Sequence, residues 1–173
     1  MDGARVAILV ASDKGSRGER ADASGKWLEE ALAAAGARVV ERRIEADDAG
    51  ALASAIKAFA DGLGVDVVFT CGGTGFTQRD VTPEATSSVI ERNVPGIPEA
   101  IRAASLRITP MAMLTRGIAG IRGKTLIVNL PGSPKAVRET LDVVFPILPH
   151  AIETLRSYTG VDCGGRPPPS GSA

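Results

Sequence analysis

Aromatic residues are nearly missing from this 173-residue chain, which holds four Phe, one Trp and one Tyr. Single-stranded nucleic acid is gripped largely by stacking its bases on aromatic faces, so that partner is disfavoured. Neither sign of charge is in excess: twenty Lys and Arg balance twenty Asp and Glu. No global field therefore draws the chain to nucleic acid or to an anionic membrane. Two cysteines, Cys71 and Cys163, cannot build a disulfide scaffold and lack metal-ligand spacing. A single histidine, His150, is too few for a typical zinc site. No apolar run approaches bilayer length, and Met1-Asp2-Gly3-Ala4-Arg5 has no signal-peptide core. The expectation is a cytoplasmic protein with neither nucleic acid nor membrane as partner.

What is present is an alternation of two periodicities. Arg5 to Ala11 and Val65 to Thr70 are short apolar runs with almost no alternation, as in strands buried on both faces. Lys124 to Asn129 is another strand, and Arg38 to Ile44 is a more polar one suited to a sheet edge. Between them, Leu28, Ala31, Leu32 and Ala35 keep helical spacing, as do Leu52, Ile56, Phe59 and Leu63. Thr82 and Ser133 are each followed by Pro and predict helix N-caps. Met111 to Ile121 reads as short strands with a turn, and a last helix carries Ile152 and Leu155. The pattern predicts one α/β domain over residues 1–160, a three-layer αβα sandwich around a mostly parallel sheet. The Gly-, Pro- and Ser-rich tail, 161–173, has no means of building a core and is expected to be disordered.

In such sheets ligands bind beyond the carboxyl ends of the strands. The segments there are Ser12 to Ser16, Asp47-Asp48, Gly72 to Asp80, and Asn129 to Ser133. Gly72-Gly73-Thr74-Gly75 lets the backbone turn tightly and bring N–H groups to an anion. It is neither a Walker A loop nor a dinucleotide fingerprint, and a plain strand-to-helix turn would use the same residues. Asp80 fits two roles, an acid near a helix N-terminus or a ligand for Mg²⁺ on a polyphosphate. One of Asp47 and Asp48 is an obvious N-cap. Asn129-Leu130-Pro131-Gly132-Ser133-Pro134 is either an ordinary connection or a second anion site at a helix N-terminus. Lys135, unfavourable for the helix dipole, points towards an external anion. Cys71 reads as a small core residue with no partner to make it a nucleophile.

Three stretches carry a resemblance to a known family: Gly72-Gly73-Thr74-Gly75, Arg79-Asp80-Val81-Thr82-Pro83-Glu84, and Asn129-Leu130-Pro131-Gly132-Ser133-Pro134-Lys135. With Ser12-Asp13, Asp22 and Ser24-Gly25, they resemble the MogA/MoaB molybdenum-cofactor family over nearly all but the tail. The resemblance implies a molybdopterin-binding, MogA-like fold and a homotrimer. It also implies Mg²⁺-ATP-dependent adenylylation of molybdopterin, releasing pyrophosphate, with a partner enzyme that inserts molybdate. It makes Asp80 catalytic and, in Glu45-Ala46-Asp47-Asp48, favours Asp47 over Asp48 as the second catalytic acid, both as Mg²⁺ ligands. Ala46 stands where the family usually has proline, which keeps Asp48 open. The binding residues it suggests are Ser12, Gly72, Gly73, Thr74, Gly75, Ser105, Asn129, Pro131, Gly132, Ser133 and Lys135. Of these the Gly72–Gly75 loop would cradle nucleotide phosphates, and Ser105 and Ser133-Pro134-Lys135 would face pterin or its phosphate. A non-catalytic molybdopterin carrier of the MoaB type is the alternative; CinA-like proteins share the fold but carry a further domain.

Overall fold

The computed structural model describes residues 1–157. The expected tail, the last three residues of the expected domain and Cys163 lie outside the described residues. Six strands form one sheet in the order β2-β1-β3-β6-β5-β4. They are β1 (Arg5–Ala11), β2 (Arg38–Glu45), β3 (Val67–Cys71), β4 (Arg92–Asn93), β5 (Ala119–Arg122) and β6 (Thr125–Leu130). β2, β1, β3 and β6 run parallel; β5 runs antiparallel to β6, and β4 pairs antiparallel with β5 at the far edge. The polar strand β2 does lie at an edge.

The helices are α1 (Asp13–Ser16), α2 (Ala23–Ala34), α3 (Ala49–Lys57), α4 (Thr82–Ser87), α5 (Gly96–Leu106), α6 (Pro134–Val144) and α7 (Leu148–Arg156). They cover both faces of the sheet, and the period-two alternation of the strands decides which residue meets which layer. Val6, Ile8 and Val10 of β1 and Phe69 of β3 pack with Leu28 and Leu32 of α2 and Val137 and Leu141 of α6. Ala7 and Leu9, one residue out of phase, pack on the other face with Leu52 and Ile56 of α3 and with Phe59. This is the expected three-layer sandwich.

Two local expectations are corrected. Residues Pro110–Leu114 form a 3-10 turn, not a strand, because Thr109 caps it by accepting from the Met111 N–H and Pro110 suits its first position. The strand expected in that region starts only at Ala119. Leu63, in phase with Phe59 by helical count, is 37% exposed. A π-helical turn over Ala58–Gly62 intervenes, and its wider repeat rotates the following residue off the buried stripe.

Register sets the functional rim. Val10 pairs with Cys71 and Cys71 with Leu130, while Ala11 pairs with Glu45. Four parallel strands thus end nearly level, and their four following loops emerge side by side.

Candidate active site

Loop 72–80 begins where β3 stops. Gly72 and Gly73 have φ of +94° and +61°, a left-handed conformation that costs glycine little and most residues much. Space demands glycine as well. A Cβ on Gly72 would stand 2.6 Å from the Ala11 carbonyl oxygen, and one on Gly73 would stand 2.4 Å from Thr82 Oγ1. Gly132, from the β6–α6 turn, abuts the same place, with its Cβ position 3.2 Å from Gly72 Cα. The Ser24 hydroxyl donates to the Gly132 carbonyl at 2.7 Å and ties that turn to α2.

These loops enclose a cleft of about 470 Å³, within the range of small-molecule sites. Of the residues expected at the site, Ser12, Asp47, Gly72, Gly73, Asp80, Gly132 and Ser133 line it. Others are elsewhere. Ser105, Asn129 and Pro131 border a neighbouring, mostly apolar cavity of about 200 Å³. Asn129 is buried and satisfied within the protein: its amide donates to Thr70 Oγ1 and Thr86 Oγ1, both at 2.9 Å, and accepts from the Ile118 N–H. Lys135 projects outward, 81% exposed, with Glu139 beside it. Thr74 is buried, and its carbonyl accepts from the Arg116 N–H.

Capping separates the adjacent aspartates. Asp48 caps α3, its carboxylate accepting from the Ala51 N–H at 2.8 Å. That leaves Asp47 to the cleft. Its Oδ2 accepts from the Asp13 N–H at 2.9 Å, and Asp13 Oδ1 accepts from the Asp47 N–H at 3.1 Å. Arg79 then grips both oxygens of Asp13. The loops after β1, β2 and β3 are thereby stitched together through Asp13, whose role had no distinct signal in sequence. Burial pushes the Asp47 carboxyl above its ordinary value, and the charges of Asp13 and Asp80 add to this; the Asp13 amide and Arg79 offset it in part. The Arg79 hydrogen bonds hold Asp13 below its ordinary value.

Asp80 faces the same cleft, its Oδ2 accepting from the Thr77 N–H at 2.8 Å. Thr82 was expected to cap α4; instead it is the first residue of that helix and makes no cap bond. Its hydroxyl is completely buried and, among the described residues, is the buried side-chain polar atom without a partner. The Gly73 Cβ position lies 2.4 Å from this hydroxyl and 3.3 Å from Asp47 Oδ1. Arg116 is the other residue that sequence reasoning missed. Its Nε donates to the Gly75 carbonyl at 2.7 Å, and its terminal nitrogens engage Glu84 and the Asp80 carbonyl. It lies between a 3-10 turn and β5, in a stretch with no motif of its own.

Among the described residues no group of three or more His, Cys, Asp or Glu is placed to hold a metal ion unaided. Asp47 and Asp80 suit a hard cation that takes its other oxygens from substrate phosphates and water, the habit of Mg²⁺. Zinc, with its demand for nitrogen and sulfur ligands, is poorly served.

Residues 7–150 match the family model described as a probable molybdopterin binding domain. A molybdopterin adenylyltransferase of Helicobacter pylori is 41% identical over 152 residues, covering 87% of this chain and 86% of that protein. The Escherichia coli K12 protein of the same name is 38% identical over 83% of this chain and 75% of its own length. Among solved structures, the molybdopterin biosynthesis enzyme MoaB of Thermus thermophilus superposes with a TM-score of 0.82 at 48% identity, covering 87% of this chain and 95% of that one. A molybdopterin biosynthesis protein from Mycobacterium abscessus gives 0.83 at 40%, covering 88% and 96%. A family model matched over residues 7–150 and relatives at about 40% identity over most of both chains place the chain in the molybdopterin-binding family of molybdenum-cofactor biosynthesis proteins, beside MogA and MoaB.

Proposed function

We propose that this chain is a molybdopterin adenylyltransferase. An oxygen of molybdopterin's terminal phosphate attacks the α-phosphorus of ATP. The bond to the bridging oxygen breaks, pyrophosphate leaves, and adenylyl-molybdopterin remains. The observation that carries the reading is the single cleft in which Asp47, Asp80 and the Gly72-Gly73 turn meet beside Gly132 and Ser133.

The chemistry asks little of a general base, because a phosphate monoester is largely ionised near neutral pH. It asks instead for two polyanions held in line, which is a matter of positioning and electrostatics. The Gly72-Gly73 backbone supplies a close approach for nucleotide phosphates. Ser133 and the start of α6 supply the second anion site, since the N-terminus of a helix attracts negative charge. Asp47 and Asp80 would hold Mg²⁺, which when bound neutralises charge on the pyrophosphate leaving group. The neighbouring apolar cavity, with Ser105 on its wall, suits a pterin ring better than a phosphate.

The same reading has the protein acting as a cytoplasmic homotrimer that passes its product to a molybdate-inserting enzyme. Exposed Ile108, Met111, Met113 and Leu114 support self-association, because apolar residues clustered at a surface mark contact sites. None of its helices is long and apolar enough to cross a membrane among the described residues. The deciding experiment mixes the protein with molybdopterin and Mg²⁺-ATP and follows pyrophosphate and adenylyl-molybdopterin. Stoichiometric pterin binding without pyrophosphate would establish a carrier instead.

A further inference from the structure

We propose that Arg116 is the positioning residue for Asp80, a clasp that closes the base of the loop carrying this acid. The inference rests on the adenylyl-transfer reading only where it concerns rate; the loop geometry it invokes stands apart from the reaction.

Loop 75–80 leaves the sheet beside Gly75 and returns at Asp80, with its tip largely exposed: Phe76 has 66% of its surface in solvent. A stretch of this kind has little packing of its own to fix it. Arg116 reaches across from the segment before β5 and binds both ends. Its Nε takes the Gly75 carbonyl at 2.7 Å and a terminal nitrogen takes the Asp80 carbonyl. The other terminal nitrogen pairs with Glu84 of α4, and the Arg116 N–H donates to the Thr74 carbonyl at 2.9 Å.

All three guanidinium nitrogens thus face protein acceptors, so this arginine is committed inward rather than held for a substrate phosphate. The segment is steadied two residues on: the Asn129 N–H donates to the Ile118 carbonyl at 3.0 Å, and the Ile118 N–H donates to Asn129 Oδ1 at 3.2 Å. A rigid guanidinium fork can bridge three acceptors at once; a lysine ammonium, a compact point charge on a flexible stem, cannot hold that geometry. The Asp80 carboxylate then accepts from the Thr77 N–H only if both ends of the loop are in register.

The test compares wild type, Arg116→Ala and Arg116→Lys in pyrophosphate release with molybdopterin and Mg²⁺-ATP, and in amide exchange at Thr77. For a misplacement of about 1 Å at a catalytic group, kcat is expected to fall about 100-fold in both variants. The KM for molybdopterin should stay within about twofold, because the anion sites at Gly132 and Ser133 are untouched. Exchange at Thr77 should quicken while amides of β1 and β3 keep their protection. Guanidinium ion at tens of millimolar should restore part of the Arg116→Ala rate, which a merely structural defect would not allow. Should the alanine variant fail to fold, the lysine variant decides, since it keeps a cation beside Glu84. Unchanged kcat, or unchanged Thr77 exchange, in the folded variants overturns the proposal. If the wild type itself releases no pyrophosphate, the adenylyl-transfer reading fails and the Thr77 exchange alone decides the clasp.

Discussion

At the scale of single residues, the cleft depends on atoms that are present and on one that is not. Asp80→Asn keeps the size and the Thr77 contact of the side chain but removes its charge. Adenylyl transfer should fall about 100- to 1,000-fold, as expected when an electrostatic group is lost from the reaction centre. Molybdopterin binding, followed by fluorescence or calorimetry, should survive. Gly73→Ala adds one carbon 2.4 Å from Thr82 Oγ1 at a φ of +61°. Strain of about 1–3 kcal/mol is expected, read as a lower unfolding free energy in urea, with a loss of turnover besides. Asp47→Asn separates the two acids' contributions: it removes a carboxylate whose charge burial disfavours. The variant should be at least as stable as wild type at neutral pH, with turnover lost all the same. A thermal melt and a pyrophosphate assay on one preparation would show both.

At the scale of elements, helix starts explain what could and could not be read from the chain. Asp48 was one of two equivalent candidates in sequence; only its bond to Ala51 identifies it as the cap. Asp48→Ala should cost about 1 kcal/mol in stability, the usual worth of such a cap, and leave turnover near wild type. A result in which Asp48→Ala, rather than Asp47→Ala, abolishes turnover would reverse the assignment. Three Ser/Thr-Pro pairs open turns of helix here, yet they differ. Ser133 and Thr109 cap in the ordinary way, whereas Thr82 is inside α4 and its hydroxyl turns towards Gly73. Sequence spacing registers the turn but not the direction of a side chain. The buried strands, the three layers and the rim were legible because period and burial are one-dimensional signals. The roles of Asp13 and Arg116 were not, because their side-chain partners lie 32 and more residues away in sequence.

At the scale of the whole molecule, chemistry and stability occupy opposite ends of the sheet. Asp66, just before β3, receives the Arg5 N–H at 2.8 Å and both arms of Arg156 at 2.7 and 2.6 Å. Burial alone would raise its carboxyl, but these donors prevail and hold it below the ordinary 3.8. Its contribution to folding is therefore complete above the unfolded value and fades as pH falls through the lower, folded one. Asp66→Asn should cost about 2 kcal/mol at pH 7, as for other hydrogen bonds to a charged group. That difference from wild type should vanish in melts at strongly acidic pH, while turnover at pH 7 stays unchanged below the melting temperature. The close approach of Gly72 and Gly132, with 3.2 Å between a would-be Cβ and a backbone carbon, has a consequence for heredity. The two turns share one gap, so a side chain admitted at either uses room that the other would need. Substitutions at the two positions should be strongly epistatic: whichever comes first decides what the other can become, and the mouth of the cleft can be reshaped only by moving both turns together.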